Sequence, residues 1–154
     1  MFMHSRIFQV SMRPIEKADY IRENDYYEHW FTREIADYVS EDCDRDAEIE
    51  WLKECSRGYE IGKDIKGEYL IVTSKENYFK DAFERFQNAF NEISKTTFYD
   101  FVNGINLWNL NEANEDKFGF YVDADGELMT FDSFVRGCVC NEKYYIGNVL
   151  DWHY

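Results

Sequence analysis

The chain has 154 residues, and its 31 Asp and Glu side chains against 17 Lys and Arg give a formal net charge of −14. Aromatic residues make up 19% of the composition, far more than in a disordered acidic tail, so we expect a folded core. The negative charge argues against direct binding to DNA, RNA or an anionic membrane, because phosphate groups would repel it. Neutral or basic partners are therefore expected.

Strand and helix patterns alternate in the first half of the chain. Residues 5–12 alternate between two sets of side chains and predict an opening strand, which the only proline ends. From Asp25, apolar side chains spaced by three and four residues predict a helix that reaches Tyr38. Asp44 is the predicted N-cap of a short helix that ends at Gly58.

The middle of the chain predicts a buried strand and two amphipathic helices. The apolar run 69–73 predicts the strand. Residues 73–76 have the form of a capping box and open a helix whose phenylalanines recur at spacings of four and three. This spacing predicts that the phenylalanine rings face the core. Thr97 opens a second helical pattern, which continues through Gly104 to Trp108.

The C-terminal third predicts a sheet. Asp125-Gly126 separates the apolar segments 118–122 and 127–131, which is a hairpin signature because Asp-Gly supplies the positive φ angles of a tight turn. A last strand is predicted over residues 144–149 and can extend beyond them. We therefore expect one acidic α+β domain over residues 1–154, with a mainly antiparallel or mixed sheet and about four helices packed on one of its faces.

Processing signals and cysteines favour a cytoplasmic protein. Polar side chains interrupt the apolar ones in residues 1–10, which does not fit a signal peptide, and no run of 18 apolar residues predicts a transmembrane helix. Cys43, Cys55, Cys138 and Cys140 are expected to be reduced thiols. One residue separates Cys138 from Cys140, which is too short for a zinc knuckle and favours alternate positions of a strand.

Asp123 and Asp125 are the candidates for a metal site. They align with the third and fifth positions of an EF-hand loop, but Tyr121 replaces the first acidic ligand. A predicted strand also precedes the loop where an EF-hand needs a helix. The turn chemistry favours a hairpin, so we predict no metal and no cofactor.

Catalytic signatures are lacking in the sequence. His4, His29 and His153 lie in no catalytic or metal-binding motif, and no glycine-rich phosphate-binding loop occurs. Carboxylate pairs are too numerous to indicate one site. We predict a protein without enzymatic activity, and a small carboxylate-dependent hydrolase, with or without a divalent metal, is an alternative.

Acidic residues are concentrated in two segments. Residues 16–60 hold 15 acidic and 6 basic side chains, and residues 111–132 hold 7 and 1. The densest run is predicted to bind a partner and consists of Glu41, Asp42, Asp44, Asp46, Glu48, Glu50 and Glu54. A solvated surface without a partner is the simpler explanation of such a run. However, mutual repulsion of this many carboxylates destabilises a compact fold, which favours a functional role.

This charge pattern predicts an inhibitor that mimics the phosphates of a nucleic acid and blocks a basic nucleic-acid-binding protein. In size, acidity and lack of catalytic motifs the chain is similar to the acidic proteins that phages and mobile elements use against restriction or CRISPR enzymes. The similarity is one of composition, so it assigns no residue roles. A module that binds a protein through an apolar patch is a further alternative, and the oligomeric state is left open.

Overall fold

A mixed sheet of seven strands organises the computed structural model, which describes residues 3–154. Met1 and Phe2, the first residues of the segment considered above for a signal peptide, lie outside the described residues. The strands are β1 (His4–Ser11), β2 (Tyr38–Ser40), β3 (Tyr59–Asp64), β4 (Gly67–Val72), β5 (Tyr121–Ala124), β6 (Glu127–Thr130) and β7 (Tyr144–His153). The helices are α1 (Trp30–Glu34), α2 (Arg45–Glu54), α3 (Lys75–Ser94), α4 (Phe98–Asn103), α5 (Trp108–Asn114) and α6 (Phe131–Gly137), with 3-10 turns at Lys17–Asp19 and Glu23–Tyr26.

The longest strand, β7, lies at the centre of the sheet. The strand order is β3-β4-β7-β1-β5-β6, and β2 pairs with the C-terminal end of β7. Among the strands of residues 3–154, only β1 and β5 run parallel, whereas the other pairs are antiparallel. The predicted α+β class with a mixed sheet is confirmed.

Side chains from both faces of the sheet are buried. Strand residues alternate between faces, so Phe8 of β1 joins a core with Leu52 of α2 and Phe134 of α6, and Ile7 joins a second core. The 3-10 turns and α1 cover that second face, chiefly through Phe31, which packs against Trp152 of β7 at a ring distance of 5.0 Å. The expectation that helices cover one face was wrong, because α1 and the 3-10 turns cover the other, in the region where one longer helix was predicted from Asp25 to Tyr38.

Several predicted elements differ from the observed ones. The helix predicted from Asp25 to Tyr38 is limited to α1, and Tyr38 pairs with His153 at the sheet edge. Strand β3 and helix α6 were not predicted. Cys138 caps the C-terminus of α6, so the strand predicted around Cys138 and Cys140 is not formed. The four cysteines are free thiols.

The helical segment after β4 leaves the body of the protein. Helix α3 is capped by Ser74, one residue after Thr73, the cap of the predicted capping box. It contains no buried residue, and Phe83 and Phe90 are exposed. The prediction that the phenylalanine rings face the core holds for Phe79, which packs against it, and was wrong for Phe83 and Phe90. Gly104 has a φ of 96° and ends α4, so the helix predicted from Thr97 to Trp108 is divided in two.

Candidate acidic interface

Helix α2 presents acidic side chains to solvent because its apolar side is held on the sheet. Asp44 is the N-cap, and its Oδ1 accepts hydrogen bonds from the backbone N–H of Asp46 (3.0 Å) and of Ala47 (3.3 Å). Ile49 and Leu52 are buried beneath the helix. The guanidinium of Arg45 turns inward and donates to the carbonyls of residues 146 and 147. Its Nη1 also lies 3.2 Å from the Asp46 carboxylate, so of the carboxylates of Asp44, Asp46, Glu50 and Glu54 it pairs with Asp46.

Six of the seven residues predicted to bind a partner are exposed: Glu41, Asp42, Asp44, Asp46, Glu50 and Glu54. Glu48 differs from them, because it forms an ion pair beneath the helix. The structure also brings in Glu23 from the second 3-10 turn. The Glu41 N–H donates to the Glu23 carboxylate at 3.1 Å, and the Glu23 N–H donates to the Glu41 carboxylate at 3.4 Å.

We refer to the exposed carboxylates of Glu23, Glu41, Asp42, Asp44, Asp46, Glu50 and Glu54 as the acidic surface. Sequence reasoning missed Glu23, which lies 18 positions before its neighbour Glu41. Further exposed acidic residues continue from it along residues 16–37, namely Glu16, Asp19, Asp25, Glu28, Glu34 and Asp37. Much of the charge of residues 16–60 is therefore available to a partner.

A largely buried arginine anchors α2 to the sheet. Arg6 of β1 contacts the Glu48 carboxylate with Nε at 2.8 Å and with Nη2 at 3.0 Å, and its Nη1 contacts Asp151 of β7. Burial lowers the pKa of Arg6, but hydrogen bonding to Glu48 and the charges of Glu48 and Asp151 outweigh it and raise the pKa. The guanidinium lies 5.5 Å from the centre of the Trp51 ring. Glu48 is thus part of the framework and is not available for binding.

The second acidic segment, residues 111–132, is used mainly inside the fold. The Asp123 carboxylate accepts from the Tyr26 hydroxyl at 2.6 Å and from the Gly126 N–H at 2.9 Å. Glu115 accepts from the hydroxyls of Thr130 and Ser133, and these hydrogen bonds lower its pKa. The two segments of similar composition therefore have different roles.

The candidate metal residues lie at the predicted hairpin, Asp123 in strand β5 and Asp125 in the turn. Asp125 has a φ of 52° and Gly126 a φ of 92°, which is the left-handed geometry expected of an Asp-Gly turn. Both oxygens of Asp123 are engaged as described, and Asp125 is exposed. Within residues 3–154, no group of three His, Cys, Asp or Glu side chains could hold a metal ion.

The three histidines make structural contacts. Nδ1 of His4 lies 2.9 Å from Oδ2 of Asp151, and Nδ1 of His153 lies 3.1 Å from Oδ2 of Asp37. His29 caps α1 by accepting a hydrogen bond from the Phe31 N–H. Two of these contacts join residues more than 100 positions apart, so no local motif could have predicted them.

An aromatic pocket of about 390 Å³ opens beside α2. Its walls include Trp51, Tyr78, Phe118, Phe120, Phe131 and Tyr154, and its polar groups include His4, Asp116 and Asp132. Trp51 reaches it from the same helix as Glu50 and Glu54, and packs edge-on against Phe120 at 5.0 Å.

Carboxylates make this aromatic pocket negative. Asp132 accepts from the Tyr78 hydroxyl at 2.8 Å and from the Asp116 N–H at 3.0 Å. Burial and the charges of Asp116 and Glu112 raise the pKa of the Tyr154 hydroxyl. Aromatic faces combined with carboxylates bind cations by cation–π attraction and charge pairing. No sequence pattern indicated this site, because its residues come from distant parts of the chain.

No helix in the described part of the chain is long and apolar enough to cross a membrane. The chain matches no protein-family model, no curated protein and no solved structure. The geometry of the acidic surface and its neighbouring pocket therefore carries the functional argument.

Proposed function

We propose that the protein is a non-enzymatic inhibitor that binds a basic, nucleic-acid-binding protein by presenting carboxylates in place of phosphates. The observation that carries this proposal is the acidic surface, where six exposed carboxylates of residues 41–54 adjoin Glu23. A Lys/Arg-lined groove built for a polyanion attracts such a surface over a long range. A protein that fills the groove excludes the nucleic acid. Restriction and CRISPR enzymes are the partner class that fits this chemistry.

The separation of structural from exposed carboxylates supports this function. Asp123, Glu115 and Asp132 are engaged in hydrogen bonds inside the protein, as is Glu48 with Arg6. The carboxylates of the acidic surface instead stand in solvent, where their mutual repulsion opposes folding. A partner that supplies positive charge removes this repulsion. The unfavourable energy that opposes folding therefore favours binding.

The aromatic pocket adds an anchor at one side of the acidic surface. An arginine or lysine of the partner would stack on the aromatic walls and pair with Asp116. Interface energy is concentrated in such anchors, whereas exposed charge pairs at the rim contribute mainly to the rate of association. The proposed complex therefore combines electrostatic steering with one buried cation.

The first test is a charge reversal that preserves the fold. The variant Glu41→Lys/Asp42→Lys/Asp46→Lys/Glu50→Lys spares Asp44, the cap of α2, and Glu48, the partner of Arg6. Wild-type protein on beads is exposed to a nuclease-treated lysate of the source organism at low and high salt. We expect a captured nucleic-acid-binding protein that salt releases and added DNA or RNA displaces, and no capture by the variant.

A matched control separates the acidic surface from net charge alone. The variant Glu76→Lys/Glu84→Lys/Glu92→Lys changes the charge of exposed positions on α3, away from the acidic surface. It should retain most of the binding. Equal loss in both variants would mean that only total charge matters, and undiminished capture by the first variant would refute the proposal.

The pocket has its own test in the isosteric variant Asp116→Asn. This change removes one charge and keeps the shape that allows Asp116 to accept from the Phe118 N–H at 3.1 Å. Loss of a desolvated charge pair should weaken the captured complex about tenfold or more, chiefly through faster dissociation. Surface plasmon resonance gives both rate constants. If Asp116→Asn changes only the association rate, Asp116 acts by long-range attraction, and the pocket does not anchor a cation of the partner.

A further inference from the structure

The region between α3 and α5 is a helical tip that exposes apolar side chains. Every residue from 97 to 109 is exposed, including all of α4. The exposed fractions are 84% for Phe98, 76% for Tyr99 and 66% for Phe101, and Trp108 is 51% exposed. We refer to residues 97–109 as the helical tip.

The apolar area of the helical tip exceeds what an isolated protein surface ordinarily carries. At about 150–250 Å² for each large aromatic side chain, these four fractions leave roughly 400–700 Å² in solvent. Val102, Ile105 and Leu107 are 65%, 39% and 41% exposed and bring the exposed apolar area of the tip to roughly 800 Å². The largest apolar patch of a typical monomer is about 300–600 Å². A stable protein interface buries about 800 Å² on each partner, so the helical tip has the area that one side of a dimer needs.

The charge of the helical tip points to a partner that is itself acidic. Asp100 is the only charged residue among residues 97–109, in a chain with a net charge of −14. A basic partner would find no charge complement on this surface. Two copies of the chain repel each other through their acidic surfaces, and contact at the tip, where Asp100 is the single charge, costs the least repulsion. Homodimer interfaces are likewise depleted of charge at their centres.

The helical tip lies next to a groove that could receive the same surface from a second copy. A groove of about 410 Å³ lies between α3 and α5, and its apolar lining includes Ala89, Ile93, Leu110 and Ala113. Three charged side chains, Arg85, Glu92 and Glu112, also line it. Each chain therefore carries both the projecting aromatic rings of α4 and, beside them, a groove with an apolar lining that such rings could fill. A two-fold axis can place the rings of each copy in the groove of the other, which is the self-complementary arrangement of a symmetric dimer.

We infer that the protein forms a symmetric dimer through the helical tip and the groove between α3 and α5. Phe98 and Phe101 of one protomer enter the groove of its partner. The acidic surfaces stay outside this interface, so the dimer presents two of them. This inference does not depend on the function proposed above.

The test measures the mass of the full chain by analytical ultracentrifugation from low to high micromolar concentration. The wild type should be a dimer whose dissociation constant stays constant or falls at high salt, because salt screens the repulsion between the two copies. The variant Phe98→Ser/Phe101→Ser should raise the dissociation constant at least about 100-fold, since buried aromatic residues dominate interface energy. Capture of a basic partner should weaken at high salt, whereas the dimer should not. The salt dependence therefore distinguishes failure of one proposal from failure of the other.

Controls keep this result interpretable. Ile65→Ser removes an equally exposed apolar side chain from the turn between β3 and β4 and should leave the dimer intact. Tyr99→Ser/Val102→Ser is a second disruption of the tip, and circular dichroism should show unchanged folding in every variant. A wild-type monomer at all concentrations, or a dimer that survives both tip variants, would overturn the inference. Binding of a monomeric chain to phosphatidylcholine vesicles would do the same and assign the tip to lipid.

Discussion

Arg6 shows how a single buried charge determines the position of the candidate site. It holds Glu48 of α2 and Asp151 of β7, and all three side chains are largely buried. Replacing Arg6 with Met leaves the largely buried Glu48 carboxylate without its cation and, among residues 3–154, leaves the Asp151 carboxylate with only its contact to His4. We expect the free energy of unfolding to fall by about 3 kcal/mol or more, measured by denaturation in urea.

The control for Arg6 replaces the whole cluster. In Arg6→Met/Glu48→Leu/Asp151→Leu no charge is left without a partner, and a well-packed apolar replacement of a buried ion pair is often close to neutral. The triple variant should therefore recover most of the lost stability. If it is as unstable as the single variant, packing of the arginine stem, and not its charge, accounts for the loss.

At the residue scale, the sequence predicts roles that depend on near neighbours. Asp44 caps α2 as predicted, and Asp125-Gly126 forms the predicted turn, because each acts on backbone within three residues. Glu48 was predicted to bind a partner and instead pairs with Arg6, 42 positions earlier in the chain. Local pattern contains no information about that pairing, since the sheet brings the two residues together.

At the element scale, Gly58 joins α2, β3 and α3. Its φ is 70°, and its carbonyl accepts from the N–H of Thr73 and of Ser74 at the start of α3. A Cβ at Gly58 would lie 2.2 Å from the Ser74 carbonyl oxygen and 2.6 Å from the Tyr78 nitrogen. Gly58→Ala should therefore cost clearly more than the roughly 1 kcal/mol of an ordinary unfavourable glycine substitution.

Gly126→Ala is the matched comparison for Gly58→Ala. Gly126 also has a positive φ, 92°, but a Cβ there meets no atom within 4 Å. Thermal denaturation gives the stability lost in each variant. The additional loss expected for Gly58→Ala measures the clash with α3, because the strain from a positive φ is common to both positions. Equal losses would show that α3 moves away without cost and is weakly held at its N-terminus.

Element prediction succeeds where the local signal and the tertiary environment agree. Strand β7 and the hairpin of β5 and β6 follow their apolar patterns because both faces of the sheet are covered. Helix α3 shows the same kind of apolar periodicity, but of its phenylalanines only Phe79 packs against the core of residues 3–154, whereas Phe83 and Phe90 are exposed. Periodicity predicts which residues share a face, whereas the partner of that face depends on the fold.

At the scale of the whole molecule, the protein separates three kinds of surface. Carboxylates dominate residues 16–54, an aromatic pocket lies beside α2, and the helical tip is almost uncharged. The composition gives a net charge of −14 and 19% aromatic residues, but it does not show that the charges and the exposed aromatic residues lie on different surfaces. The sequence indicated the acidic surface because its residues are close in the chain. The pocket draws on residues from 3 to 154 and could be found only from the fold.

Buried tyrosines predict how the whole molecule responds to high pH. Burial raises the pKa of Tyr26, Tyr59, Tyr78 and Tyr121 in the native state, and nearby Asp123 and Asp132 raise those of Tyr26 and Tyr78 further. Below about pH 10, the ordinary pKa of tyrosine, the native and unfolded chains are both protonated at these positions, so the favourable contribution is fully present. Above it, only the unfolded chain loses the protons.

The free energy of unfolding should therefore fall above about pH 10, by roughly 1.4 kcal/mol per pH unit for each such tyrosine. Urea denaturation over this range measures the slope, and tyrosinate absorbance of the native protein should show these four groups titrating only as the chain unfolds. The variants Tyr26→Phe and Tyr78→Phe should each reduce this slope by the contribution of one tyrosine, roughly 1.4 kcal/mol per pH unit. Titration of all 12 tyrosines near their ordinary pKa in the folded state would contradict this account, because it would mean that the core admits the charged form.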